Sequence, residues 1–92
     1  MPLFRKQPRP EKPAIPPFDL RYRVTFNDGT FEEIDCHALF VHDNNTTTFR
    51  EISDYFWSDG DSWTIYERGW HPRYQYTIKT FSTTGYRSIE KI

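Results

Sequence analysis

The sequence predicts an all-β domain of mainly antiparallel strands, preceded by a proline-rich arm. Three observations predict it. Apolar and polar residues alternate with period two across Arg21–Phe26 and again across Tyr74–Lys79. Asp28-Gly29 and Asn44-Asn45 punctuate the first half of the chain with residues that tolerate positive φ. Six of the seven prolines fall within the first seventeen residues, so strand signals begin only after them. The expected architecture has five or six short strands and at most one short helical turn. Those strands form a small SH3-like or Sm-like barrel or a strongly bent meander, with an open sheet packed against a partner or a second copy as the alternative.

Residues 1–17 make a basic, proline-rich arm with little to bury beyond Leu3, Phe4 and Ile15. Such a composition is expected to be disordered or to adopt polyproline II. Pro10-x-x-Pro13-x-x-Pro16 is a PxxP array, but no Arg or Lys stands where an SH3 ligand usually needs one. The arm is therefore either a solvated terminus or a strap that orders on a neighbouring subunit or partner, with Leu3, Phe4 and Phe18 as its anchors. Residues 18–92 then form the folding unit. A unit of that size buries only about 60% of its unfolded surface. The 17 aromatic residues of this 92-residue chain compensate, since each ring covers a large area on few rotatable bonds.

Tyr22, Val24 and Phe26 line one face of the first strand. A two-residue turn at Asp28-Gly29 sets Asn27 against Thr30 and Phe26 against Phe31. The next apolar series (Ile34, Cys36, Ala38, Phe40) has the opposite parity, which calls for a bulge near Glu32-Glu33. A two-residue turn at Asn44-Asn45 then sets Phe40 against Phe49 and His42 against Thr47. Leu39 and Val41 fall on the wrong face for that register. Either this long strand bends so that its end is covered on both sides, or those residues meet a partner. Arg50–Trp57 reads equally as one helical turn or as the start of a hairpin turning at Ser58–Asp61 into Trp63–Tyr66. Arg68–Pro72 reads as a loop and Tyr74–Lys79 as a strand. Tyr86, Ile89 and Ile92 recur every three residues, which suggests a helical turn before a short last strand.

The formal net charge of −1 hides an asymmetry. Residues 1–23 hold six Lys/Arg against two acids, residues 24–67 one against ten, and residues 68–92 five against one. Acidic and basic strands that alternate in space would produce this pattern, as would an acidic face for a basic partner or self-association through opposite faces. The single cysteine, Cys36, excludes an internal disulfide and suits a reducing compartment. No apolar run is long enough to span a membrane, and no signal-peptide core follows Met1. A cytoplasmic protein or a virion component is expected, with no membrane and no small-molecule substrate.

Catalysis finds little support in the residues. Cys36 and His37 are neighbours in a strand and point to opposite faces, which separates a nucleophile from its base. No phosphate loop or serine elbow is present, and Asp59 and Asp61 flank a glycine without the ligand series of a calcium loop. No cofactor and no metal are expected. The strongest functional signal is aromatic density, since eight aromatic residues fall in the twenty-two positions from Tyr55 to Tyr76. Exposed Trp and Tyr beside arginine make binding hot spots. The candidate partner-binding set is Phe4, Trp57, Trp70, Arg73 and Tyr74. In the alternative reading the rings stack on single-stranded nucleic acid while Arg68, Arg73, Lys79 and Arg87 track its phosphates. The acidic central block opposes that reading unless it faces away.

Tyr22-Arg23-Val24-Thr25-Phe26-Asn27-Asp28-Gly29-Thr30, a long strand, Thr48-Phe49-Arg50 and the terminal Arg87–Ile92 together resemble small proteins of actinobacterial phages and mobile elements. Those proteins open with a V-x-F-x-D-G hairpin and close on a similar short strand. The resemblance covers about half of the chain, and Tyr55–Tyr76 depart from it. It implies an accessory, host-inhibitory or virion protein that acts by binding, with no catalytic residues to carry over. The expectation is a non-enzymatic protein-interaction module, with a single-stranded nucleic-acid binder as the alternative.

Overall fold

The protein, seen in a computed structural model, is described over residues 8–92, and the proposed anchors Leu3 and Phe4 lie outside the described residues. Eight strands follow in order: β1 (Leu20–Phe26), β2 (Phe31–Cys36), β3 (Ala38–Val41), β4 (Thr46–Glu51), β5 (Asp54–Ser58), β6 (Gly69–Arg73), β7 (Tyr76–Ser82) and β8 (Tyr86–Lys91). They form three antiparallel sheets, ordered β2-β1-β8, β3-β4-β7 and β5-β6. No helix occurs among the described residues. The strand count thus exceeds the five or six expected, and the helical turn is absent.

Both hairpin registers differ from expectation by one residue, for one shared reason. Phe26 N–H donates to Thr30 O at 2.8 Å, so the first loop is Asn27-Asp28-Gly29, with Gly29 at φ 89°. His42 N–H donates to Thr46 O at 2.8 Å, so the second loop is Asp43-Asn44-Asn45, with Asn45 at φ 63°. A three-residue loop whose last residue is left-handed accommodates the same chemistry as a two-residue one. Polar side chains brace both loops. Asp28 Oδ1 accepts the Thr30 hydroxyl and Asn44 Oδ1 the Thr46 hydroxyl, each at 2.6 Å.

The extra residue reverses which side chains share a face. Phe31 opposes Thr25 on the outer face, where the Arg23 guanidinium lies 4.6 Å from its ring centre. Tyr22 opposes Ile34 and Leu20 opposes Cys36 on the inner face, with no bulge at Glu32-Glu33. In the second hairpin Leu39, not Phe40, opposes Phe49. The chain changes parity at His37, where the long strand bends and passes from one sheet to the other. The bend is as expected, but the far end is not covered on both sides, because Val41 stays 70% exposed.

Val24, Ile34, Cys36 and Phe49 are buried between the two three-stranded sheets, with Leu20, Tyr22, Leu39, Phe81 and Ile89 packed around them. Phe49 meets Phe81 edge-on at 6.0 Å and Tyr22 at 5.8 Å. The spacing of Tyr86 and Ile89 comes from a bulge rather than a helix. The β1–β8 register shifts between Thr25 and Phe26, so Val24 faces Ile89 while Phe26 faces Tyr86.

The sheets do not close into a barrel. Closure would need β7 to pair with β8, but each is the far strand of a different sheet. The chain between them is a tight turn, in which Gly85 N–H donates to Ser82 O at 2.9 Å and Thr83 N–H to Asn45 O at 2.9 Å.

The charge asymmetry resolves into contacts between strands. Arg21–Asp35 (2.7 Å), Arg23–Glu33 (2.9 Å), Lys79–Glu32 (2.9 Å) and Lys12–Asp54 (3.1 Å) each join a base from a flanking segment to an acid of the central block. Acidic β2 and the start of β5 therefore sit beside basic elements. These four pairs lie at the surface, where each contributes modestly.

Candidate functional site: the β5–β6 ribbon

β5 and β6 form a two-stranded ribbon that leaves the core at Ile52 and returns at Tyr74. The stretch read as a loop, Gly69–Arg73, is its second strand. Pro72 is tolerated opposite Tyr55 because a ribbon of two strands needs ladder donors on one side only. The first strand pairs with Gly69–Arg73 rather than Trp63–Tyr66, which places Trp57 directly opposite Trp70. Their rings meet edge-on at 5.3 Å, a pairing that gains contact from both indoles.

The intervening residues 59–68 fold back on themselves. Gly60 N–H donates to Ser58 Oγ at 3.2 Å, Ser58 Oγ–H to Tyr66 O at 3.3 Å, and Thr64 N–H to Asp61 O at 3.0 Å. Tyr66 meets Phe56 edge-on (4.9 Å) and His71 at a tilt (5.1 Å), and His71 Nε2–H donates to Glu67 O at 2.7 Å. Gly60, at φ 75°, lies where an added Cβ would come within 2.8 Å of Arg68 N. The loop is thus pinned at its base, while Trp63 and Ile65 at its tip are 84% and 92% exposed. Beneath it a cleft of 230 Å³ is lined by Trp57, Asp59, Asp61, Trp63 and Tyr66.

The proline-rich segment is laid against the ribbon. Trp70 Nε1–H donates to Pro10 O at 2.9 Å, Arg9 lies 5.3 Å from the Trp57 ring centre, and Lys12 pairs with Asp54. Farther on, His37 Nε2–H donates to Pro16 O at 2.8 Å and Phe18 packs on the same imidazole at 4.8 Å. Residues 8–19 have no regular secondary structure and are exposed, and Pro10, Lys12 and Pro16 contact the body of the same chain.

The structure brings together only part of the candidate set. Trp57 and Trp70 are adjacent and half-buried. Arg73 lies over Phe56 at 4.6 Å, beside His71 and Tyr66 and away from the Trp pair. Tyr74 packs on Phe40 at 5.6 Å outside the ribbon, and burial raises its phenol pKa. Phe4 lies outside the described residues. The four bases proposed to track phosphate are dispersed. Arg68 lies over Trp57 at 5.0 Å, Arg73 over Phe56, Lys79 is paired with Glu32, and Arg87 donates to Asn27 O at 2.9 Å.

Cys36 is fully buried, and that burial raises its thiol pKa. His37 holds two backbone groups, Pro16 O and Ile52 N–H. Sequence reasoning missed the exposed Trp63–Ile65 tip, because Trp-Thr-Ile-Tyr alternates like a strand. No local signal opposed that reading. Comparisons with family models, curated proteins and solved structures returned no match.

Proposed function

We propose that the protein is a non-enzymatic protein-interaction module that engages its partner through the β5–β6 ribbon and the loop at its end. One observation carries the reading: Trp63 and Ile65 are exposed on a loop whose base is held by hydrogen bonds and an edge-on ring contact. Large apolar side chains cost free energy in water, and a held loop presents them at a small entropic penalty on binding. The surrounding Asp59, Asp61 and Glu67 suit a partner surface with a basic rim. The resemblance of Tyr22–Thr30 and Arg87–Ile92 to phage accessory proteins fits a chain that acts by binding, in the host cytoplasm or on the virion.

The test compares the full chain with its Trp63→Ser/Ile65→Ser variant in a nuclease-treated pull-down from host lysate. The expected result is a stoichiometric protein captured by the first and lost by the second, at unchanged melting temperature. Truncation of a buried anchor costs about 2 kcal/mol or more, enough to empty the bead. Equal capture by both proteins would remove the loop from the interface, and material released by nuclease would favour a nucleic-acid partner.

A further inference from the structure

We propose that the Trp57–Trp70 face of the ribbon is a receptor for an extended, basic, proline-rich segment of a partner protein, and that residues 9–12 of this chain occupy it in cis as a built-in competitor. The inference rests on the interaction-module reading and names the partner chemistry for one part of that surface.

Four features converge on one ligand type. Trp70 gives its indole N–H to a peptide carbonyl, that of Pro10, at 2.9 Å. Proline segments leave their carbonyls unpaired because they lack N–H donors and form no internal ladder. An indole donor on an aromatic floor therefore satisfies such a segment where a sheet edge would not. The Trp57 ring, which also carries Arg68 at 5.0 Å, takes the Arg9 guanidinium at 5.3 Å, a contact that favours a cation next to the bound proline. Asp54 takes Lys12 at 3.1 Å, which selects a second cation farther along the segment. The Trp57 Nε1–H donates to Asp59 Oδ1 at 2.9 Å, which fixes the ring that receives Arg9.

The ligand also comes preordered. Pro8, Pro10, Pro13, Pro16 and Pro17 restrict both their own φ and the residue before each, so little entropy is lost on docking. All three cis contacts are at the surface, where each contributes modestly and the segment can be displaced. A tethered ligand acts at a high effective concentration, so the site opens only to a partner segment that is abundant or better matched.

The test uses full-length protein and a synthetic peptide of residues 8–17 as the trans ligand. Binding is read by indole fluorescence and calorimetry. The Arg9→Glu/Lys12→Glu variant, altered only at exposed arm positions, is expected to bind the peptide about tenfold more tightly than the wild type, because its own segment no longer competes. Adding Trp70→Phe keeps a ring but removes the donor, and is expected to weaken that binding about fivefold. A peptide that binds none of the three proteins, or all three equally, overturns the proposal. That result would leave the loop-tip experiment untouched, since that experiment changes Trp63 and Ile65 and reads capture of a folded partner rather than of the peptide.

Discussion

His37 Nδ1 accepts the backbone N–H of Ile52 at 2.9 Å, with Nε2–H given to Pro16 O on the other side of the ring. This imidazole sits where the chain turns from β2 into β3 and ties three segments together: the sheet junction, the exit toward β5 and the end of the proline-rich segment. The neutral tautomer with its proton on Nε2 is the one both bonds require.

Replacing His37 by Phe keeps the ring but strands the Ile52 N–H in a buried position. The expected loss is about 1–3 kcal/mol in urea unfolding. Its thermal transition should fall well below that of wild type, and an unchanged midpoint would show that water satisfies the Ile52 amide.

Thr47 and Tyr86 share a hydrogen bond of 2.8 Å across the two main sheets, and Thr47 is fully buried. Tyr86→Phe leaves that hydroxyl without its partner and is expected to cost about 1 kcal/mol. The Tyr86→Phe/Thr47→Val double variant should recover part of the loss, which a double-mutant cycle measures.

Gly29 stands in open space at φ 89°, so an added methyl meets nothing and only the backbone conformation resists it. Gly29→Ala should therefore cost about 1 kcal/mol. Gly60→Ala differs in kind, because its Cβ would meet the Arg68 backbone at 2.8 Å. It is expected to displace the 59–68 loop and alter the Trp63 emission, with little change in the melting of the core.

The pH dependence has two arms. Hydrogen bonds from Thr30 lower the Asp28 pKa, Arg21 lowers that of Asp35, and the Tyr55 amide followed by Lys12 lowers that of Asp54. Each carboxylate binds its proton more weakly folded than unfolded. Its contribution is thus present at neutral pH and lost as pH falls below about 4. Burial raises the pKa values of Cys36 and Tyr74, so their contribution is full at neutral pH and declines as pH climbs beyond about 9. Chemical denaturation from pH 2 to 11 should show a plateau between these limits. Asp35→Asn should flatten the acid limb, and Cys36→Ser the alkaline one. In the native plateau Cys36 should react with a thiol reagent only as fast as the protein unfolds.

Much of the fold was legible in local chemistry. Alternation marked β1 and the start of β7, Asp28-Gly29 and Asn44-Asn45 marked the hairpins, and the parity conflict at Leu39 marked the bend at His37. The faces were not legible. Asp-Gly suits a two-residue and a three-residue loop equally, and one residue of difference moves every side chain beyond it to the other face.

The same limit hid the site. Nothing local tells Trp57 to choose Trp70 over Trp63, because the choice is made by which partner completes the ladder and the ring contact. The sequence by itself determined an all-β chain with a proline-rich segment, an acidic centre between basic flanks and a surplus of aromatic rings. These follow from composition and period-two patterning, which act within a few residues. Only the tertiary structure decided that acidic β2 lies beside basic β1, that Trp63 and Ile65 stand in solvent, and that Pro10 rests on Trp70. Those outcomes depend on contacts between residues far apart in the chain, where register and packing outweigh local preference.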